Sequence, residues 1–162
     1  ILHYNTNSAP LKSGDLLLID AGAMVSHYCA DITRMYAVSK KMTSEQKKIY
    51  DILLEVQAHV AAHTKPGVWI NNPQFPEASL QHIAIEFLKR HDLHTYFSHA
   101  IGHFLGLDTH DVGDRMLPLQ EGDVITIEPG IYIPEKNIGL RIEDDYWIVV
   151  DDALCLSENI HK

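Results

Sequence analysis

Two nine-residue segments of this chain share one pattern. Residues 14–22 read GDLLLIDAG and residues 122–130 read GDVITIEPG. They align without a gap as Gly-Asp, four strand-type residues, an acidic residue, one further residue and Gly. A repeat of this kind predicts two copies of one structural unit. We therefore expect two related pairs of β-strands.

Each copy of the repeat carries two acidic residues. The first acids are Asp20 and Glu128. Each copy is followed by a second strand that carries another acid, which is Asp31 in ADITR for the first copy and Glu143 in RIEDD for the second. If the two halves pack about a pseudo-twofold axis, these matching positions bring four carboxylates together. Like charges in one site repel strongly unless cations neutralise them. Two divalent ions would balance four carboxylates, so the repeat predicts a metal site.

A histidine-rich segment lies between the two copies. Residues 98–113 read SHAIGHFLGLDTHDVG and contain His99, His103 and His110. Histidine is a common metal ligand. The glycines within the segment disfavour a helix, so we predict an extended or turning backbone that brings these side chains to the site.

Hydrophobic periodicity predicts helices over residues 43–63 and 77–91. The first begins with Thr-Ser-Glu-Gln, a capping-box pattern in which Thr43 and Gln46 satisfy each other's backbone amides. Strands are predicted at residues 16–19, 32–38, 124–127 and 147–150.

The charge balance limits the partners of this chain. Its 22 acidic and 13 basic side chains give a net charge of −9, which argues against nucleic acid or an anionic membrane as the partner. The two cysteines are too few for a disulfide framework, and no apolar run is long enough to cross a bilayer. We therefore expect a cytoplasmic location and interpret Cys29 as a packed thiol.

Five motifs together resemble the pita-bread metallopeptidases, and specifically the Xaa-Pro aminopeptidases and prolidases. They are LLIDAG, ADITR, GHFLGLDTHDVG, ITIEPGIYIP and GLRIEDD, and the similarity runs from the start of the chain to about Val150. The resemblance implies an α+β pita-bread (creatinase/aminopeptidase-like) fold, with a curved antiparallel sheet and helices on its outer face. It also implies a hydrolase that cleaves the N-terminal peptide bond of substrates with proline at the second position.

The resemblance assigns roles to individual residues. The implied metal ligands, with Asp31 and Glu143 bridging two ions, are Asp20, Asp31, His103, Glu128 and Glu143. The implied catalytic residues are His3, His99, His110, Glu128 and Arg141, with Glu128 as the proton carrier. The implied substrate-binding residues are His3, His99, His110 and Tyr132. A ligand set of hard oxygen donors with one imidazole favours Mn²⁺, and Co²⁺, Zn²⁺ and Fe²⁺ remain alternatives.

Several broader expectations follow from the same resemblance. Residues 1–162 are interpreted as the C-terminal catalytic domain of a longer enzyme, whose first half lacks its two helices and whose N-terminal domain is absent. The first hairpin would then leave Leu16, Leu18 and Ile32 without cover. The short connection at 134–140 favours an aminopeptidase over a prolidase. A non-catalytic pita-bread binding module is the alternative from another class, and homo-oligomeric assembly of the longer enzyme stays open.

Overall fold

A computed structural model describes residues 3–162 of the chain. Its regular elements, in chain order, are β1 (Leu16–Ala21), β2 (Met24–Val25), β3 (Tyr28–Cys29), β4 (Ile32–Ala37), α1 (Ser44–Ala61), α2 (Leu80–Lys89), β5 (Val124–Ile127), β6 (Gly130–Ile133), β7 (Ile138–Arg141), β8 (Asp144–Ile148) and β9 (Ala153–Cys155). All of the strand pairs among them are antiparallel. The expected α+β architecture is confirmed.

The two copies of the repeat form two long hairpins. In the first, β1 pairs with β4, and β2 pairs with β3 in the same continuing register. In the second, β5 pairs with β8 and β6 pairs with β7, again in one register, while β9 adds to the outer edge of β8. Each half is therefore a strand pair whose far end carries a second, shorter pair.

The same turn begins each hairpin. Gly14 and Gly122 have positive φ angles of 95° and 97°, which glycine adopts without steric cost. The Asp15 and Asp123 carboxylates each accept a hydrogen bond of 2.8 Å from a backbone N–H three residues earlier. The Gly-Asp dipeptide is thus repeated because the same turn is built twice.

The return strands of the two hairpins differ in register. Asp20 lies opposite Thr33, whereas the continuing β5–β8 register places Glu128 opposite Glu143. The expectation that both halves carry their second acid at matching points is therefore wrong, since Asp31 lies two residues before Thr33. The carboxylates still converge, because Asp31 reaches the cluster from the residue before β4 while Thr33 places a hydroxyl where the second half has a carboxylate.

Helix α1 matches the prediction closely. The Thr43 hydroxyl accepts from the Gln46 N–H, and the Gln46 side chain accepts from the Thr43 N–H, so the capping box is present. The Gln46 amide also donates to the Gly14 carbonyl at 3.2 Å. This contact ties the start of the helix to the first repeated turn.

Helix α2 is shorter than predicted. Residues Pro76–Ala78 form a separate 3₁₀ turn, and Ser79 is extended with φ −107° and ψ 116°. Ser79 bridges to Trp69, whose carbonyl accepts the Leu80 N–H at 2.8 Å. This long-range pairing holds the backbone out of the helical conformation that the local pattern favours.

The core lies between the helices and the second hairpin. Leu53, Val56 and Val60 of α1 pack with strand residues such as Ile125 and Ile131, all fully buried. Strand β8 begins three residues earlier than predicted because its two acidic residues are buried inside the fold.

The first hairpin is partly covered. Leu16, Leu18 and Ile32 are half-buried, and the two leucines pack against the core, so the expectation that these side chains lack cover is wrong. In residues 3–162, no helix is both long and apolar enough to cross a bilayer. Both cysteines are free thiols. The cytoplasmic location and the reading of the chain as a domain of a longer enzyme stay predictions.

Candidate metal centre

A cavity of about 380 Å³ opens where the two hairpins meet. All five predicted metal ligands line it, and so do His3, His99, His110 and Arg141. Tyr132 is the predicted site residue that stands behind the wall, where its hydroxyl contacts His99 and Arg141. The structure thus brings the residues singled out in the sequence into one place.

The histidine segment is held against the edge of β5 by backbone hydrogen bonds. Thr126 N–H donates to the His103 carbonyl at 2.9 Å, and Glu128 N–H donates to the Ile101 carbonyl at 2.8 Å. A Cβ added at Gly102 would collide with the Thr126 carbonyl oxygen, so glycine permits this approach. The backbone here is extended and turning, as predicted, and it places His103 beside Glu128.

The His103 ring is oriented for ligation through Nε2. Its Nδ1 lies 2.9 Å from the Phe104 carbonyl oxygen, which requires the proton on Nδ1 and leaves the Nε2 lone pair free. Nε2 lies 3.5 Å from Asp31, 3.6 Å from Glu128 and 3.9 Å from Glu143. A neutral imidazole that faces three carboxylates is a suitable metal ligand.

The donor atoms form three overlapping groups, one of which joins Asp31, His103 and His110, while the other two share Glu143. Asp20, Asp31 and Glu143 each offer an oxygen, and these oxygens lie within 4.8 Å of one another. His103, Glu128 and Glu143 form a second group under the same limit. Carboxylate oxygens with one imidazole are ligands for divalent first-row metals, so the residues present fit such ions.

The electrostatics of the cluster show a deficit of positive charge. Burial, and after it the neighbouring carboxylates of Glu128 and Asp31, raise the pKa of Glu143 to about 9. Burial likewise raises the pKa of Glu128 to about 7, and burial followed by Asp31 raises the pKa of Asp20. The protein's own groups do not stabilise four ionised carboxylates here, whereas bound cations would.

Thr33 holds the most buried carboxylate of the cluster. Its hydroxyl donates to Glu143 Oε2 at 2.7 Å and accepts from Arg141 Nε at 3.1 Å. Arg141 also donates from Nη2 to Asp20 and from Nη1 to the Tyr132 hydroxyl. The sequence reasoning missed Thr33, although its place in ADITR, two residues after Asp31, was a usable signal.

The remaining histidines of the motifs occupy different positions around the cavity. His99 is mostly buried, its Nδ1 lies 2.8 Å from the Ala100 carbonyl oxygen, and burial lowers its pKa. The His110 ring stands edge-on to His103 with centroids 4.3 Å apart, and burial and then His103 lower its pKa. His3 is exposed at the cavity wall. Their assignment to the substrate side stays a prediction.

Other side chains near the site were not assigned from the sequence. Thr109 and Arg115 line the cavity. Asp144 and Asp145 are both buried. Asp145 Oδ2 accepts the Asp31 N–H at 3.3 Å, which places it directly behind a predicted ligand.

The histidines outside the motifs do not contribute to the cavity wall within residues 3–162. They are His27, His59, His63, His82, His91, His94 and His161.

Comparisons with known proteins agree with this site. The sequence profile of metallopeptidase family M24 matches residues 1–149. Xaa-Pro aminopeptidase 3 of Homo sapiens is 36% identical over 182 residues, which cover 99% of this chain and 36% of that protein. The Xaa-Pro aminopeptidase of Escherichia coli (strain K12) is 39% identical over 168 residues, which cover 90% of this chain and 38% of that protein.

Solved structures give the same result for the fold. Aminopeptidase P from E. coli with the inhibitor Pro-Leu superposes with a TM-score of 0.85 at 36% identity, covering 100% of this chain and 42% of that one. The prolidase from Pyrococcus horikoshii OT3 superposes with a TM-score of 0.82 at 38% identity, covering 94% and 42%. The expected pita-bread fold is confirmed. This chain spans about 36 to 38% of the length of the two curated relatives.

Proposed function

The chain belongs to metallopeptidase family M24, and from this membership we propose that it carries the dinuclear metal site of an Xaa-Pro aminopeptidase. The proposed substrate is a peptide with proline at its second position, and the proposed reaction is hydrolysis of its first peptide bond. The observation that carries the proposal is the pair of three-donor groups that share Glu143. A shared carboxylate between two donor groups is suited to two neighbouring ions.

The proposed ligands divide between the two ions. Asp20 would hold one, His103 and Glu128 would hold the other, and Asp31 and Glu143 would bridge them. The hard oxygen donors favour Mn²⁺, and the single imidazole is compatible with it. Two divalent ions, when bound, supply Lewis-acid chemistry that polarises a carbonyl oxygen and activates water.

Glu128 is the proposed proton carrier. It lies at the end of β5 beside His103, with a carboxylate oxygen 3.6 Å from that ring. A cation beside this carboxylate favours its ionised form, which can accept a proton from the attacking water. Glu128 would then deliver that proton to the leaving proline nitrogen, acting first as a general base and then as a general acid.

His110 and His3 are the proposed hydrogen-bond donors to the peptide. His99 is engaged on both ring nitrogens, by the Ala100 carbonyl at 2.8 Å and by the Tyr132 hydroxyl at 3.0 Å. It therefore shapes the cavity wall and orients Tyr132. His110 and His3 are left to donate to the scissile carbonyl as negative charge develops on its oxygen.

A prolidase is the second candidate. The likeness to the prolidase from Pyrococcus horikoshii OT3 is as strong as the likeness to the aminopeptidases in sequence identity. The connection between β6 and β7 is the short turn Pro134–Lys136 followed by Asn137. This connection carries no insertion of the kind that would help to limit substrates to dipeptides, and its shortness favours the aminopeptidase.

The test is hydrolysis of a matched set of peptides after Mn²⁺ loading. An aminopeptidase releases the first residue of Xaa-Pro-Xaa tripeptides and not of the corresponding Xaa-Ala-Xaa peptides, whereas a prolidase cleaves Xaa-Pro dipeptides alone. The control is Glu143→Gln, which keeps the side-chain volume and removes the charge of the shared ligand. We expect the metal affinity of this variant to fall by more than about 100-fold, which exceeds the usual effect of changing a residue that only orients a ligand. Its hydrolytic activity should be lost as well. Wild-type protein that binds Mn²⁺ and cleaves no Xaa-Pro peptide would exclude the proposal.

A further inference from the structure

Arg34 lies behind the metal centre and is buried, with 5% of its surface exposed. A buried guanidinium is costly unless its donors are satisfied, and all five N–H groups of Arg34 have acceptors. The acceptors are the carbonyls of Thr33, Glu143, Ile160 and His161 and the carboxylate of Asp144. Arg34 therefore occupies a built site inside the fold, outside the cavity that would receive a substrate.

One edge of the guanidinium joins the two halves of the molecule. Nη1 donates to the Glu143 carbonyl at 2.7 Å and to the Thr33 carbonyl at 3.0 Å. The Glu143 N–H also donates to the Thr33 carbonyl at 3.3 Å. Arg34 thus fixes the backbone of the first half against the backbone of the second half at Glu143.

The other edge holds the next residue along β8. Nη2 lies 2.7 Å from Asp144 Oδ1, and the Asp144 side chain is fully buried. The same oxygen accepts from the Ser157 hydroxyl at 2.5 Å, and Lys162 Nζ lies 2.7 Å from Oδ2. The planar guanidinium of Arg34 therefore binds both the Glu143 carbonyl and the side chain of the next residue, Asp144.

This arrangement determines where the Glu143 carboxylate lies. Thr33 directly precedes Arg34, and its hydroxyl meets Glu143 Oε2 at 2.7 Å. If the backbones of Thr33 and Glu143 moved apart, this hydrogen bond would break and the carboxylate shared by the two donor groups would move. A planar guanidinium can hold both acceptors at once, whereas a lysine ammonium is a point charge without that fork.

We propose that Arg34 is a positioning residue for Glu143. Its guanidinium binds the Glu143 carbonyl with one edge and the Asp144 carboxylate with the other, and this holds the shared Glu143 carboxylate in place for both metal ions. This inference rests on the proposed function only in treating the cluster as a dinuclear metal centre. Arg34 touches neither the cavity nor the proposed substrate, so it acts through Glu143.

The experiment measures Mn²⁺ binding by Arg34→Lys, with free Mn²⁺ counted from its electron paramagnetic resonance signal. The variant keeps the positive charge and removes the planar arrangement of N–H donors that binds both acceptors. We expect a loss of about 10- to 100-fold in affinity for the second ion, the usual effect of residues that orient ligands. Weaker magnetic coupling between the two ions should accompany this loss, because the shared carboxylate is displaced.

Val56→Ala is the matched control for stability alone. Val56 is fully buried in α1 and is not among the hydrogen-bond partners of Arg34. Urea unfolding of both variants measures how far each destabilises the protein. We expect Val56→Ala to keep wild-type affinity and coupling, which separates positioning from general loss of stability.

Each result bears on the proposal. Wild-type affinity and coupling in Arg34→Lys would overturn it. If Arg34→Lys does not fold, Asp144→Ala tests the same contact from the other side, since it removes the Oδ1 acceptor of Arg34 Nη2; wild-type Mn²⁺ binding by that variant would overturn the proposal. If wild-type protein binds two Mn²⁺ ions but cleaves no Xaa-Pro peptide, the proposed function fails while the affinities still test Arg34. If wild-type protein binds no Mn²⁺, both fail.

Discussion

The individual ligands of the candidate centre differ strongly in exposure. The Glu143 side chain is 1% exposed and lies at the base of the cluster, whereas the Asp20 side chain is 28% exposed and lies toward solvent. A shared ligand at the base suits a bridging role, because both donor groups can then use the two buried carboxylate oxygens of Glu143. His110 lies on the opposite, open side, although its ring contacts His103.

This position of His110 leads to a prediction for a single substitution. We expect His110→Ala to lower kcat for Xaa-Pro peptides by about 100-fold or more, the usual effect of removing one donor to a developing oxyanion. Its Mn²⁺ content should stay unchanged, because the proposed ligands are all retained. Steady-state kinetics and elemental analysis on the same preparation measure both quantities.

The control for this prediction is His63→Ala, at a histidine on the far side of α1. It should leave both kcat and metal content unchanged. A donor atom of His110 lies within 4.8 Å of donor atoms of Asp31 and His103, so metal loss in His110→Ala is the informative opposite result. That result would make His110 a ligand and not a substrate contact.

At the scale of elements, the site depends on how the histidine segment pairs with β5. The segment adds backbone hydrogen bonds to the free edge of β5, and the close approach occurs at Gly102. The positions of His103 and Glu128, the proposed metal ligands on these two elements, therefore depend on this backbone pairing.

We predict that Gly102→Ala weakens the centre without touching a ligand. The added methyl group would collide with the Thr126 carbonyl oxygen, so the segment must move away from β5 and carry His103 with it. Overpacking of this kind costs about 1–3 kcal/mol of stability, and the displaced ring should lower Mn²⁺ affinity by about 10-fold or more. Urea unfolding and Mn²⁺ titration measure the two effects.

Gly139→Ala serves as the comparison. A Cβ at Gly139 would lie 3.4 Å from the Tyr132 ring, which is ordinary van der Waals contact, and Gly139 has no positive φ. This variant should keep wild-type Mn²⁺ affinity. If Gly102→Ala binds Mn²⁺ as tightly as Gly139→Ala does, the pairing with β5 does not position His103.

At the scale of the whole molecule, the two hairpins assemble a concentration of negative charge that the protein does not neutralise by itself. In the folded state the pKa of Glu143 is about 9, and the pKa values of Glu128 and Asp145 are about 7, in each case chiefly because of burial. Folding without metal therefore retains protons that the unfolded chain would release at neutral pH.

These shifts predict how stability depends on pH. Between the unfolded carboxyl pKa of about 4.3 and the folded value of about 9, the folded state binds more protons than the unfolded state, so the free energy of unfolding falls as pH rises. Burial lowers the pKa of His103, but its contacts with Asp31, the Phe104 carbonyl and Glu128 together raise that pKa above its usual value, and this acts in the same direction. We expect the Tm of chelator-treated protein to fall steadily from pH 5 to pH 9, and the stabilisation by Mn²⁺ to grow over the same range.

Two variants test the origin of this slope. Glu143→Gln removes the carboxyl group whose pKa is raised to about 9, so the metal-free Tm of this variant should depend less on pH. Glu121→Gln changes an exposed residue and should keep the wild-type slope. A metal-free Tm that rises with pH would contradict the charge deficit on which the proposed metal centre depends.

Much of the site could be predicted from the sequence because its signals are local. The repeated Gly-Asp turns, the acids that follow a strand, the glycine-interrupted histidine segment and the Thr43–Gln46 capping box each depend on residues a few positions apart. Short-range chemistry of this kind is readable without coordinates. The four carboxylates were identified from the repeat, the family resemblance singled out His103 within the histidine segment, and the structure brings them together.

Other features depended on tertiary structure. The two-residue register difference between the hairpins is one of them. The Thr33 hydroxyl on Glu143 and the Arg34 hydrogen bonds to the Glu143–Asp144 unit join residues about 110 positions apart. The extended Ser79 that shortens α2 is held by Trp69 in the same long-range manner. Such pairings are set by how whole elements pack, and local propensity is overridden where packing and backbone hydrogen bonding oppose it. The sequence alone determined which groups carry the chemistry, and tertiary packing determined which neighbours hold them in position.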